Sequence, residues 1–202
     1  MISEFETEYD LKMGKKGEVK IAGLSFPVEK AVLCGQVFPN GFNWSLKIST
    51  VERELLEEMV GPFVYAECIK ALRNRKISRW TDIIGQKVSW EQCYDEETGD
   101  RQAGICLWTH EDINEATLEF FRNGEGLFVK WDGLAELDLD ELCEEGGAPL
   151  SIETPVEFKG FVVHRIPEDQ ALEELRKWVT GEIFKEPVKL EDNSLLFEVA
   201  DR

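Results

Sequence analysis

The amino-acid sequence predicts an α+β fold, a mostly antiparallel sheet of about eight to ten strands with helices near residues 51–74 and 168–179 packed on one side. Three observations lead to this prediction. Short apolar runs that alternate with polar residues recur along most of the chain, separated by turn residues. Two stretches instead space their apolar residues three or four apart, as helices do. With 43% apolar residues among 202, the chain can bury a full core.

Strands dominate the first fifty residues. Residues 14–17 form a turn signal between a weakly alternating stretch, residues 5–13, and the apolar residues of 19–26, which together predict a hairpin. Residues 42–48 alternate most cleanly, with the large apolar side chains on one side. This pattern indicates a half-buried strand, and Trp44 is expected in the core.

The helix near residues 51–74 is predicted from a change of period after Thr50. Thr50 can cap a helix, and Val51, Leu55 and Met59 belong to an apolar stripe at helical spacing. After a break at Gly61 and Pro62, apolar side chains recur at three-residue spacing, which predicts a second helical stretch.

From residue 87 onward the pattern returns to strands. Residues 88–94 and 103–108 form a predicted hairpin, whose tip at residues 95–100 carries four carboxylates. The two strands and their tip would give this part of the sheet an acidic rim.

A second strand pair is predicted from residues 116–122 and 126–131. Alternation places Leu127, like Trp131, on the core face, whereas Phe128 falls on the opposite face.

The C-terminal part mixes strands with one helix. Residues 155–166 predict a strand, in which Gly160 interrupts the alternation and indicates a bulge. Pro167 and the acidic residues after it open the helix of residues 168–179. Residues 194–199 predict a last strand.

The charge of the chain is concentrated in one region. Residues 95–157 hold 18 acidic and three basic residues, whereas the formal net charge of the whole chain is −18. This charge repels nucleic-acid phosphates and anionic membrane surfaces. The expected partner is therefore a basic protein, with neither nucleic acid nor membrane bound.

The sequence also bears on compartment and domain count. Residues 1–6 are acidic rather than basic and lead into no long apolar stretch, which predicts a cytoplasmic protein without a membrane segment. Five cysteines, an odd number without a CxxC pair, predict reduced thiols. The length predicts one domain over residues 1–202, with two tightly packed halves of about 1–85 and 86–202 as the alternative.

The predicted partner surface consists of the acidic hairpin tip and the acidic run after Trp131. In that run, leucines interleave with the acids and the calcium-loop pattern is absent, so an amphipathic, solvated segment is the better interpretation. The predicted partner-binding residues are Asp95, Glu96, Glu97, Asp132, Glu136, Asp138, Asp140 and Glu141.

Four cations lie close together beside Trp80: Arg73, Arg75, Lys76 and Arg79. Together they form a candidate anion site, or one half of an interface in which guanidinium groups grip carboxylates or phosphates. The simpler alternative is that cations collect at the end of the predicted helix, where the macrodipole favours them.

Catalytic and metal signatures are weak. The sequence from His110 to Asp112, near Cys106, contains ligand-type side chains but lacks the spacing of a zinc motif. A nucleophilic Cys34 or Cys106 would need His164 beside it in space. The sequence therefore predicts no catalytic residue, metal or cofactor.

The leading functional hypothesis is an acidic binding protein that docks a basic partner, with an inhibitor or immunity-type factor as one form of it. The alternative is a small-molecule binding protein or hydrolase with a pocket between the sheet and the helices. A third possibility is that the charge serves solubility alone. Binding is favoured over enzymatic activity because no catalytic motif is present.

Overall fold

A computed structural model describes residues 17–55, 58–137 and 147–200. Within these ranges the chain forms fourteen strands, one α-helix and two 3-10 turns. The strands are β1 (Glu18–Ile21), β2 (Leu24–Phe38), β3 (Gly41–Thr50), β4 (Arg53–Leu55), β5 (Glu58–Val60), β6 (Phe63–Ala66), β7 (Lys87–Trp90), β8 (Ala103–Cys106), β9 (His110–Asn123), β10 (Gly126–Ala135), β11 (Ala148–Pro155), β12 (Glu157–Val163), β13 (Val188–Lys189) and β14 (Leu195–Phe197). The helix, α1, is Glu168–Arg176, and the 3-10 turns are Lys70–Leu72 and Trp80–Ile83.

Eight of these strands close into an antiparallel barrel. Their order is β1, β11, β10, β9, β8, β6, β3 and β2, and β2 pairs again with β1. The closing strand places Val19 opposite Ile152 of β11 and Phe26 of β2, and all three side chains are buried. Closure pairs both edges of every strand in the ring.

Alternate residues of the ring strands fill its interior. Ile48, Val64 and Ile105 lie opposite one another on β3, β6 and β8 and are fully buried. Trp131 is fully buried and Trp44 is 4% exposed, so the predicted burial of both tryptophans is confirmed. Burial of each large apolar side chain contributes about 1.5–3 kcal/mol to the folded state.

Further elements lie outside the ring. Strand β7 pairs with β9, while β12 pairs in parallel with β2 and continues the sheet to β14 and β13. Helix α1 is anchored by its buried residues Ala171 and Leu175. The predicted bulge at Gly160 is confirmed by a register shift, and at its φ of 116° a Cβ would lie 2.4 Å from the Phe197 carbonyl oxygen.

The predicted α+β fold is wrong, because residues 51–74 form no α-helix where the structure describes them. They contain β4, β5, β6 and a 3-10 turn. Thr50 ends β3 instead of capping a helix, and its Oγ1 donates to the Pro62 carbonyl oxygen at 3.0 Å. In β6, Val64 and Ala66 are buried, two residues apart, which is the period of a strand. β-branched and aromatic side chains suit such a pleated surface.

Helix α1 is the one α-helix of the described residues, and it lies within the predicted range 168–179. It therefore packs at the side of a barrel rather than with a second helix on an open sheet. No helix in the described part of the chain has the length and apolar content needed to cross a membrane.

The two predicted strand pairs have different outcomes. The hairpin of residues 88–94 and 103–108 is present only near its tip, where Tyr94 and Arg101 form an antiparallel bridge. The predicted pairing of its strands is wrong, because β7 pairs with β9 whereas β8 pairs with β6 and β9. Val88 thereby lies opposite the buried Leu118 of the long strand β9. The pair β9 and β10 is confirmed, with Gly126 opposite Asn123.

Phe128 lies on the outer face of β10, as its phase predicts, yet it is only 9% exposed. Its ring packs against Phe121, opposite it on β9, with the ring centroids 5.8 Å apart. Both faces of this part of β10 are therefore covered by apolar side chains.

Candidate functional site

Strand β10 runs between two unusual surfaces. One lies near its C-terminal residue Ala135 and consists of carboxylates. The other lies near Leu127 and is an open groove with aromatic rings on its wall. At the rise of a strand, the two lie roughly 26 Å apart.

The acidic surface is built on a bulge in β9. Asp132 lies opposite Thr117, but Leu134 lies opposite Asn114, so β9 has one extra residue here. Glu115, within the bulge, has a φ of 45°. This left-handed conformation costs about 1–2 kcal/mol for a residue other than glycine, and bulges re-aim the side chains they contain.

Four acidic residues meet around Asn114, and we call them the acidic end: Glu91, Asp112, Glu115 and Glu136. Asn114 Nδ2 donates to Glu136 Oε1 at 2.6 Å, and its Oδ1 accepts from the backbone N–H of Cys93 at 2.6 Å. The backbone N–H of Glu115 donates to the Glu91 carbonyl at 2.9 Å, and that of Glu136 to the Asp112 carbonyl at 3.0 Å. The C-terminal ends of β7 and β10 and the first part of β9 thus bring these residues together.

Charge compensation differs between the acidic end and the neighbouring sheet. Asp112 pairs with Arg101, whereas Glu91, Glu115 and Glu136 have no cation partner among the described residues. On the outer sheet face, Lys130 lies opposite both Glu119 and Glu153. The acidic end therefore holds three acids without an ion pair among the described residues, whereas on the neighbouring sheet face a lysine lies between two acids.

Asp95, predicted to bind a partner, is instead buried and forms an ion pair inside the protein. It is 3% exposed, and its Oδ2 lies 2.9 Å from a guanidinium nitrogen of Arg73. Lys70 lies 3.6 Å from its other oxygen. Against the opposing effect of burial, the pKa of Asp95 is lowered, first by the backbone N–H of Glu97, which donates at 2.8 Å, and then by these cations.

The other predicted partner-binding residues lie in different surroundings. Glu97 pairs with Lys70 at 3.1 Å, whereas Glu96 is exposed. Asp132 is half-buried and accepts from Ser151 Oγ at 2.9 Å. Glu136 belongs to the acidic end. The remaining three, Asp138, Asp140 and Glu141, lie outside the described residues.

The four predicted anion-site cations do not converge on one point. Arg73 binds Asp95 and Asp100. Arg75 donates to Gln86 Oε1 at 3.0 Å, and with Lys76 it lines a cavity of about 210 Å³. Arg79 lines the groove at the other side of the 3-10 turn. An anion site in this region stays a prediction, carried at most by Arg75 and Lys76.

The groove has a volume of about 600 Å³ and lies between β12, the second 3-10 turn and residues 182–200. Trp80 and Phe158 stack on its wall, with ring centroids 4.6 Å apart and an interplanar angle of 12°. Leu127 and Val156 add aliphatic surface. We call this feature the Trp80 groove.

Glu182 supplies a buried carboxylate on the wall of the Trp80 groove. It is 5% exposed, and its Oε1 accepts from the backbone N–H of Trp80 at 3.0 Å. Glu182 has no cation partner among the described residues. The two lysines of the groove are engaged with other carboxylates, Lys159 with Glu157 and Lys185 with Glu198 at 3.0 Å.

No hydrogen bond joins a histidine to a cysteine in the described part of the chain, although Cys106 and His110 lie opposite each other on β8 and β9. The His164 ring stacks on Phe38 at 4.8 Å and contacts Gln36 through Nε2. Burial raises the pKa of the Cys34 thiol, opposite to the shift that activates a nucleophile. No group of three metal-ligand side chains converges within residues 17–55, 58–137 and 147–200.

Sequence reasoning missed Glu91, Glu115 and Glu182. A signal for Glu115 exists, because Asn114 and Glu115 place two polar residues between the buried Ile113 and Ala116 and so break the alternation of β9. Such a break indicates a bulge. Glu182 lies in a segment with no comparable pattern.

Comparison of the chain with protein-family models, with curated proteins and with solved structures gave no match. The geometry of the acidic end and of the Trp80 groove therefore carries the functional argument.

Proposed function

We propose that this protein is a cytoplasmic binding protein that docks the basic surface of a partner protein through its acidic end. The cytoplasmic assignment is supported by four free cysteines among the described residues, because reduced thiols are typical of that compartment. The acidic run of residues 136–145 begins at the same place, so that the predicted partner surface is continuous in sequence with the acidic end.

One observation carries the proposal: three carboxylates of the acidic end, Glu91, Glu115 and Glu136, lack an internal cation although paired carboxylates are common elsewhere in the described chain. Like charges held together raise the energy of the free protein. A basic partner relieves this repulsion and is attracted at long range, which speeds association.

The backbone at Glu115 supports the same interpretation. Its left-handed conformation is unfavourable, and its side chain makes no hydrogen bond or ion pair with another described residue. Residues held in such conformations often belong to functional sites. A carboxylate that has no ion pair among the described residues and is carried on a strained backbone suits contact with an external cation.

A charge-removal experiment tests the proposal. The test variant combines Glu91→Gln, Glu115→Gln and Glu136→Gln, and the matched control combines Glu18→Gln, Glu119→Gln and Glu153→Gln on the sheet face. A partner captured on the immobilised wild-type protein is identified by mass spectrometry, produced separately and used for association kinetics at low and high salt.

We expect the test variant to slow association about tenfold at low salt and much less at high salt, because screening weakens long-range attraction. The control should change the rate little. Equal effects of the two variants, or rates independent of salt, would contradict the proposal. A third variant, with Asp138→Asn, Asp140→Asn and Glu141→Gln, tests the remaining predicted residues.

A further inference from the structure

We infer that the Trp80 groove is a binding site for an alkyl guanidinium, the group at the end of an arginine side chain, with Glu182 as its counter-ion and Trp80 as its stacking surface. This site is separate from the acidic end, at the opposite end of β10. The inference therefore stands or falls independently of the proposed docking function.

The buried carboxylate of Glu182 is the first argument. A carboxylate removed from water needs an opposite charge or several hydrogen bonds, since an unpaired buried charge is costly. Glu182 receives one backbone N–H, from Trp80, and no cation from the described residues. Because it lies on the wall of an open groove, the missing positive charge can come from a ligand.

The aromatic wall is the second argument, and it favours a guanidinium over an ammonium. A guanidinium is planar, weakly hydrated and stacks on aromatic faces, and its fork of N–H groups matches a carboxylate in two-point geometry. The groove offers the stacked rings of Trp80 and Phe158 next to Glu182. The aliphatic surface of Leu127 and Val156 suits the methylene stem of such a ligand.

The remaining charges of the groove define the rest of the ligand. Lys159 and Lys185 are engaged with Glu157 and Glu198, so they leave Glu182 as the uncompensated acid. The guanidinium group of Arg79, on the same wall, forms no ion pair among the described residues and can donate to a carbonyl or carboxylate oxygen of the ligand. Arginine itself and an arginine within a peptide both carry these groups.

The backbone around Glu182 fixes the carboxylate in place. The N–H of Gly181 donates to the Ser78 carbonyl at 2.8 Å, and that of Thr180 donates to the Ile77 carbonyl at 3.1 Å. A Cβ on Gly181 would lie 2.9 Å from the Ser78 carbonyl oxygen and closer still to Ser78 Oγ, so this close approach of the two backbones depends on glycine. The segments that carry Trp80 and Glu182 are thus joined directly, and the site is formed before a ligand arrives.

The test compares a charged ligand with a neutral one of the same shape on the wild-type protein. N-acetyl-arginine methylamide and N-acetyl-citrulline methylamide are titrated by calorimetry and by NMR. We expect saturable binding of the arginine compound and at least about tenfold weaker binding of the citrulline compound, because hydrogen bonds between charged groups are the stronger ones. Equal binding, or no binding of the arginine compound, overturns the inference without any variant.

Two variants then locate the site. Glu182→Gln keeps an acceptor for the Trp80 N–H and should weaken binding at least about tenfold, whereas Glu191→Gln, at an exposed position outside the groove lining, should change it less than about twofold. Equal losses in the two variants would overturn the assignment of Glu182. Titration with free arginine separates the two sources: tighter binding of free arginine indicates a small-molecule ligand, and tighter binding of the blocked compound indicates an arginine within a protein.

Discussion

The two ends of strand β10 place carboxylates in opposite situations. At the acidic end, Glu115 is exposed, surrounded by other acids and held in a strained backbone conformation. In the Trp80 groove, Glu182 is buried beside aromatic rings and held by a single backbone N–H. Exposed clustered charge favours rapid long-range attraction, while a buried charge favours selection of one ligand group. The count of acids along the sequence does not distinguish these roles, because neighbours in space decide them.

Both ends depend on the barrel interior between them, and the largest expected effect lies there. Trp131→Ala should lower the free energy of unfolding by about 3–5 kcal/mol, because it leaves a large cavity in a closed ring. Trp131→Phe should cost less than half as much, since the indole N–H has no hydrogen-bond partner among the described residues. Urea denaturation measures both variants. A Trp131→Phe variant as unstable as Trp131→Ala would contradict this prediction.

A second comparison concerns two adjacent acids of the predicted hairpin tip. Asp95→Asn should lower the melting temperature clearly, because it leaves Arg73 and Lys70 without their buried partner. Glu96→Gln, at an exposed position, should change the free energy of unfolding by no more than about 0.5 kcal/mol.

The pH dependence of that difference follows from the lowered pKa of Asp95. A carboxyl group whose pKa is lower in the folded state stabilises the fold above its ordinary pKa of about 3.9, and this stabilisation is lost as the pH falls through the folded-state pKa. The difference in melting temperature between wild type and Asp95→Asn should therefore be full near neutral pH and shrink in acid. A difference that grows in acid would contradict the pairing.

The smallest expected effect concerns Glu115 at the acidic end, where backbone strain and charge repulsion both act on one residue. Glu115→Asn should raise the free energy of unfolding by about 1 kcal/mol, because asparagine tolerates the left-handed region better and a repelling charge is removed. Glu119→Asn, on the regular part of the same strand, should instead lower it by up to about 1 kcal/mol. Thermal unfolding of the two variants checks the sign. Destabilisation by Glu115→Asn would show that the side chain, rather than the backbone, dominates there.

Local patterns predicted several elements correctly, because their period agrees with what the fold requires. The alternation of residues 42–48, the pairing of β9 with β10 and the start of α1 after Pro167 are all present. The helix prediction for residues 51–74 was wrong for a physical reason. Apolar side chains three and four residues apart also occur by chance where short strands alternate with turns. There, β-branched and aromatic residues were better guides than spacing.

Neither the barrel nor the candidate sites could be predicted, because both depend on contacts between distant segments. Asp95 cannot bind a partner because it pairs with Arg73 inside the protein. Glu182 lies beside an aromatic ring because it contacts Trp80, about a hundred residues earlier in the chain. Nothing in either local sequence indicates the other. The charge-rich region was recognisable, but its division into paired and unpaired acids was not.

The way in which β1 closes the ring has a consequence for folding. Its neighbours are β2, next to it in the chain, and β11, roughly 130 residues later. An unfinished chain therefore has open strand edges at β1 until the residues of β11 are available, and open edges promote aggregation. Pairings of such long range also slow folding into the range of milliseconds to seconds. Most of the acidic residues between 95 and 157 precede β11, so a chain that lacks only the C-terminal part already carries negative charge, which disfavours its association with other chains.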